Sequence, residues 1–247
     1  MCARARWGMR TAPAEAEAVR SSWRKTAAHD SSGVAEQGER CAHYSSVGTR
    51  EAIAKDGAMH GLKPYLVGHQ EFAALYRVEP QMIGQWLAPS RRILDPATAI
   101  VVSGVRYWPL GFATRFGTTT ARFRQVDVRV TEHLTAEQGK GWMADLGDEL
   151  PAIVGQQEVM ELFHLPSQGT LATRIAAGTF PKEDWLLSGS RLWLLETVIE
   201  AVPALRATAR SLPWEVDETV AATLRSGTYS GPGSVVLTRG RHARKSL

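Results

Sequence analysis

Five side chains in two short stretches carry the chemistry of base recognition. Gln81 and Gln85 stand one helical turn apart, and Gln168, Thr173 and Arg174 fall close together further on. A glutamine amide can bond adenine twice, and an arginine guanidinium can do the same to guanine. Five cations accompany them: Arg91, Arg92 and Arg106 near the first set, Lys182 and Arg191 near the second. Their chemistry is phosphate neutralisation, which adds affinity without sequence preference. Arg106 and Arg191 also suit solvated salt bridges, but their recurrence at matching places favours a nucleic-acid role.

The elements that must hold these residues outward can be read from apolar spacing. Phe72, Leu75 and Tyr76 give a helix near 70–76 its inner face. Pro80 suits the first position of a second helix, where its missing N–H is not needed, and Ile83, Trp86 and Leu87 form the buried side. Gln81 and Gln85 are left on the outer side. Runs at 99–102 and 106–108 then flank Ser103-Gly104 as a small hairpin. The second set repeats the plan. Val159, Leu162 and Phe163 line one helix; Ser167 caps the next, which buries Leu171 and Ile175 and stops at Gly178. Trp185-Leu186-Leu187 and Leu192-Trp193-Leu194 surround the turn Ser188-Gly189. Trp86, Trp108 and Trp193 are expected in the core.

Two blocks match across the halves. Val67-Gly68-His69-Gln70-Glu71 aligns with Val154-Gly155-Gln156-Gln157-Glu158, and Leu75 with Leu162. Ser103-Gly104-Val105-Arg106-Tyr107-Trp108 aligns with Ser188-Gly189-Ser190-Arg191-Leu192-Trp193. Such self-similarity indicates an internal duplication. The expected fold is mainly α with small β wings, as two tandem winged helix-turn-helix units. Residues 1–63 are expected to be a mostly disordered extension, 64–116 the first unit and 117–150 a structured connector. Residues 151–201 make the second unit, and 202–247 C-terminal helices with a basic tail. Within the connector, Val126, Val128 and Val130 alternate like a strand or hairpin arm, and 132–146 reads as a helix with Leu134, Trp142 and Leu146 apolar. Beyond the second unit, a helix at 196–210 should kink or restart at Pro203, another should cover 214–224, and 235–237 suits a short strand.

The VG-QE opening before the turn and the SG…W hairpin after it resemble the excisionase-like and MerR-like winged helix-turn-helix proteins, above all those of actinobacterial phages and mobile elements. The resemblance covers 67–108 and 154–199. It implies that the second helix of each unit enters the major groove while the wing lies near the backbone. It further implies a transcriptional regulator of repressor type, or an excisionase-like factor in recombination. The alternative class is an assembly or protein-interaction subunit, such as a phage DNA-packaging protein, that reuses the helix-turn-helix.

Composition sets the outer limits. A chain of 247 residues, 44% hydrophobic and 22% charged, suits one or two globular domains, and no apolar run approaches a membrane span. The N-terminus lacks a secretory-type apolar segment, so a cytoplasmic protein is expected. Cys2 and Cys41 offer little for a disulfide framework or metal site. No HExxH, nucleophile elbow or paired-cysteine motif occurs, and Gly139-Lys140-Gly141 lacks the spacing of a phosphate-cradling loop. Asp145, Asp148 and Glu149 read as a solvated face. The expectation is therefore no enzyme, no cofactor and no metal, with double-stranded DNA as partner, homo-oligomerisation open and no membrane. A net charge of +4 permits that partner. The first unit carries Arg77, Arg91, Arg92, Arg106 and Arg115 against Glu71, Glu79 and Asp95, whereas acids outnumber cations in the second.

Overall fold

One sequence of elements, made twice, organises residues 62–120, 124–208 and 214–236, the part of the chain described by the computed structural model. All of these lie in one unit, Gly57–Leu247. The expected extension (up to residue 61), Arg122, Phe123, Leu237 and the basic tail fall outside the described residues.

The first repeat starts with two short strands, β1 (Lys63–Pro64) and β2 (Leu66–Val67). Gly68 caps helix α1 (His69–Leu75), and Glu71 in its first turn accepts from the Gly68 amide at 3.0 Å. Helix α2 (Pro80–Leu87) has proline at its first position and buries Ile83, Trp86 and Leu87. A 3-10 turn at Pro96–Thr98 leads into β3 (Ile100–Val102) and β4 (Val105–Pro109). Ser103 and Gly104 between them both have positive φ, 49° and 76°, as a two-residue I′ turn requires. Helices α3 (Leu110–Thr119) and α4 (Val128–Gln138) close the repeat.

After strand β5 (Gly141–Trp142), which pairs in parallel with β1, the plan recurs. Strand β6 (Ile153–Val154) is followed by α5 (Gln156–Leu162), capped at Gly155, and α6 (Gln168–Ala176), capped by the Ser167 hydroxyl. Strands β7 (Trp185–Leu187) and β8 (Ser190–Leu194) flank Ser188-Gly189, again with positive φ at both residues. Helices α7 (Leu195–Glu200), α8 (Val202–Thr208) and α9 (Glu218–Arg225) follow, the chain restarting at Pro203 as its missing N–H demands. Both three-stranded sheets share one antiparallel order, β2-β4-β3 and β6-β8-β7. The structure is thus mainly helical with small antiparallel sheets.

The duplication is longer than its sequence blocks. Val126-Asp127, Val130 and Leu134 correspond to Val216-Asp217, Val220 and Leu224. Asp127 N–H donates to the Leu75 carbonyl at 2.8 Å, and Asp217 N–H to the Leu162 carbonyl at 2.9 Å. Each aspartate caps its helix and also holds the residue just past the first helix: Arg77 Nε lies 2.7 Å from Asp127, and His164 Nε2 lies 3.0 Å from Asp217. The connector thus belongs to the first repeat, and Leu134, Val126 and Val130 pack in its core. The expected strand over Val126, Val128 and Val130 is not formed. Asp127 caps a helix whose 126/130/134 spacing overrides the two-residue alternation. That helix ends at Gly139, where φ is 77°, so Trp142 lies in β5 and Leu146 is exposed. Val235 and Val236 form no strand.

Among the described residues, three apolar clusters hold the fold. One fills each repeat beneath its helices. The third joins the two sheets: Leu66, Val102 and Tyr107 from the first repeat meet Ile153, Trp185, Leu187 and Leu192 from the second. Each such buried side chain contributes about 1.5–3 kcal/mol.

Around this seam the repeats clasp one another reciprocally. Ser188 donates its N–H and its hydroxyl to the two Glu71 carboxylate oxygens, each at 2.7 Å. Ser103 does the same to Glu158, each at 2.6 Å. The serine hydroxyls in turn accept from the opposite helix, Gln70 N–H to Ser188 and Gln157 N–H to Ser103, both at 3.0 Å. Glycine is needed at 68 and 155 because a Cβ there would collide with these hydroxyls. Contact of i with j matched by j with i is the signature of an isologous, two-fold interface.

Candidate nucleic-acid interface

Helix α2 exposes Gln81 and Gln85 because its buried stripe is taken by Ile83, Trp86 and Leu87. Past its end the chain folds back, the Ile93 and Leu94 amides donating to the Trp86 carbonyl at 3.0 and 3.1 Å. This hairpin of backbone buries Leu94 and turns Arg91 and Arg92 to solvent. Neither arginine has an ion-pair partner among the described residues. They edge a cleft of about 810 Å³ floored by Trp86 and Phe116. Across it, the Arg124 guanidinium lies 4.6 Å from the Trp86 ring centre.

Helix α6 offers a different surface. Gln168 and Thr173 are exposed and Arg174 is half-buried in the last turn. The Gln168 amide donates to Gln156 at 3.0 Å, and the Thr173 hydroxyl donates back to the Gly169 carbonyl at 2.8 Å. Counted from the caps Glu79 and Ser167, Gln85 and Thr173 are equivalent, whereas Arg174 stands where α2 buries Trp86.

The remaining cations lie on or beside the hairpins. Arg106 is half-buried on β4, close enough that its charge, after burial, helps lower the His69 pKa below the ordinary histidine value. Arg191 is exposed on β8 and lies 3.7 Å from Glu183, and Lys182 is exposed. Their hairpin turns do not project freely, since Ser103 and Ser188 are bound to the opposite repeat.

No family model, no curated protein and no solved structure matches this chain. Trp86, Trp108 and Trp193 are fully buried, as core packing requires. No group of histidine, cysteine or carboxylate side chains suited to a metal occurs among the described residues, and none of the described helices is long and apolar enough to cross a membrane. The geometry brings Arg91 and Arg92 together with α2 and places Arg106 on the hairpin strand, where the sequence put it.

Sequence reasoning missed Arg124, Asp127, Asp217 and the clasp. A signal for the clasp existed: Glu71 recurs as Glu158 and Ser103 as Ser188. Those blocks mark docking between repeats.

Proposed function

We propose that this chain binds double-stranded DNA as a transcriptional regulator, each repeat acting as a winged helix-turn-helix unit of the excisionase-like and MerR-like kind. The reading rests chiefly on the outer face of α2, where Gln81 and Gln85 stand exposed one turn apart with Arg91 and Arg92 beyond its end. That combines an amide for base edges with charge for phosphate. The reciprocal clasp has the contact pattern of a two-fold pair, which supports a reading in which α2 and α6 take inverted half-sites. Because the two helices expose different residues, those half-sites differ in sequence. An excisionase-like role in recombination would use the same surfaces.

The test is fluorescence anisotropy with genomic duplex fragments over a range of salt. With about six phosphates contacted, log K falls against log salt with a slope near −5. Absence of affinity for any duplex would overturn the reading. A protein partner for the second repeat is the other reading, favoured by its excess of carboxylates and by the engagement of Gln168 with Gln156.

A further inference from the structure

We propose that the cleft beside α2 is a binding site for a nucleotide-like anion, a phosphate carried on a flat ring. Its volume of about 810 Å³ lies in the range of small-molecule sites. Trp86 and Phe116 are buried at its floor, and half-buried Phe112 leaves an aromatic surface on one side. Arg91, Arg92 and Arg124 supply three guanidiniums around this apolar base. Asp95 is the lone carboxylate among the described lining residues, and its Oδ1 already accepts from the Ala97 amide at 2.9 Å.

The duplication provides an internal control. Two residues before the Val-Asp pair, the first repeat has Arg124 and the second has Trp214. Trp214 is fully buried, 5.2 Å from Phe163 and 6.1 Å from Phe180 between ring centres. The second repeat thus closes its core with an indole where the first places a cation over an aromatic floor. A stable core did not demand the cleft.

Three guanidiniums match the charge of a phosphate dianion, each can hold phosphate oxygens through its N–H fork, and the half-buried Phe112 offers a face to a flat ring. The ligand is either a free mononucleotide or a terminal nucleotide of a strand, and the measurements separate these.

Isothermal titration of the full chain with adenosine 5′-monophosphate, adenosine and inorganic phosphate tests the site. The monophosphate should bind, with nucleoside and phosphate each at least about tenfold weaker. Arg91→Ala/Arg92→Ala, confined to exposed side chains, should weaken binding by at least about tenfold. Arg124→Trp, which copies the second repeat, should abolish it, with thermal melting as the check on folding. A 5′-phosphorylated single strand binding better than the mononucleotide identifies a strand end as the source; the reverse identifies a free nucleotide. No heat with the monophosphate at about 1 mM, or equal binding by the double alanine variant, overturns the proposal. Duplex titration of the same protein is a separate measurement, so failure there leaves this site standing.

Discussion

The two repeats share a frame and differ in what fills it. Both begin with Gly and Glu around a first helix, both turn their hairpins with Ser-Gly, and both hold the start of a late helix with an aspartate. Yet the first closes its core around Trp86 with Arg124 over the ring, and the second with Trp214 between Phe163 and Phe180. The shared residues are those that position backbone or join the repeats. Divergence reaches both the solvent face, where Gln85 stands against Thr173, and the core, where Arg124 stands against the fully buried Trp214.

The widest separation between repeats should come from removing these fillers. Trp214→Ala deletes a fully buried indole and should cost about 3–5 kcal/mol of stability, whereas Arg124→Ala should cost about 0.5–2 kcal/mol. Chemical denaturation measures both; equal losses would mean that Arg124 is as much a core residue as Trp214.

The clasp should show a smaller asymmetry. Glu158 is 2% exposed and accepts from Ser103 twice and from Gly155, so Glu158→Ala strands buried donors and should cost about 3 kcal/mol. Glu71→Ala, at a half-buried position, should cost about 2 kcal/mol. A double-mutant cycle pairing Glu158→Ala with Ser103→Ala should give a coupling of about 1–3 kcal/mol, and additive losses would remove the clasp from the account.

The local frame was legible in the sequence, and the long-range joints were not. Pro80 and Ser167 announced helix starts through backbone chemistry, and Ser103-Gly104 and Ser188-Gly189 announced turns through their tolerance of positive φ. Strands β2 and β6 are two residues each, too short to show alternation. Val126, Val128 and Val130 fit a two-residue period as well as the 126/130/134 helical spacing, and only the cap at Asp127 decides between them. The Ser188–Glu71 contact spans 117 residues, beyond any local pattern. Of the site, the exposed glutamines followed from the buried stripe of α2. The cleft did not, because it depends on Arg124 returning over Trp86 from a distant part of the repeat.

Base reading should divide the repeats further. Arg174→Ala should narrow the gap between preferred and random duplex by about 1–3 kcal/mol, with little loss on random sequence. Arg91→Ala/Arg92→Ala should instead weaken all duplexes alike and flatten the salt slope by about 2. Competition binding with both variants measures the division.

The smallest effects concern pH. Arg77 holds the Asp127 carboxyl below its ordinary range, and the Val220 amide, with Thr219 and His164, does so for Asp217. A carboxylate whose folded pKa is depressed adds stability that is fully present above its unfolded pKa and is lost as pH falls through the folded one. Melting temperature should therefore drop below about pH 4, and less steeply in Asp127→Asn and Asp217→Asn. Equal acid slopes in wild type and variants would exclude both caps as the source.

Selection of bound duplexes from a random library tests the central claim most directly. Two-fold-related repeats with unlike helices predict a site of two inverted half-sites of unequal sequence, the half read by α6 losing its preference in Arg174→Ala. A direct repeat, or no enriched sequence at all, would contradict the account.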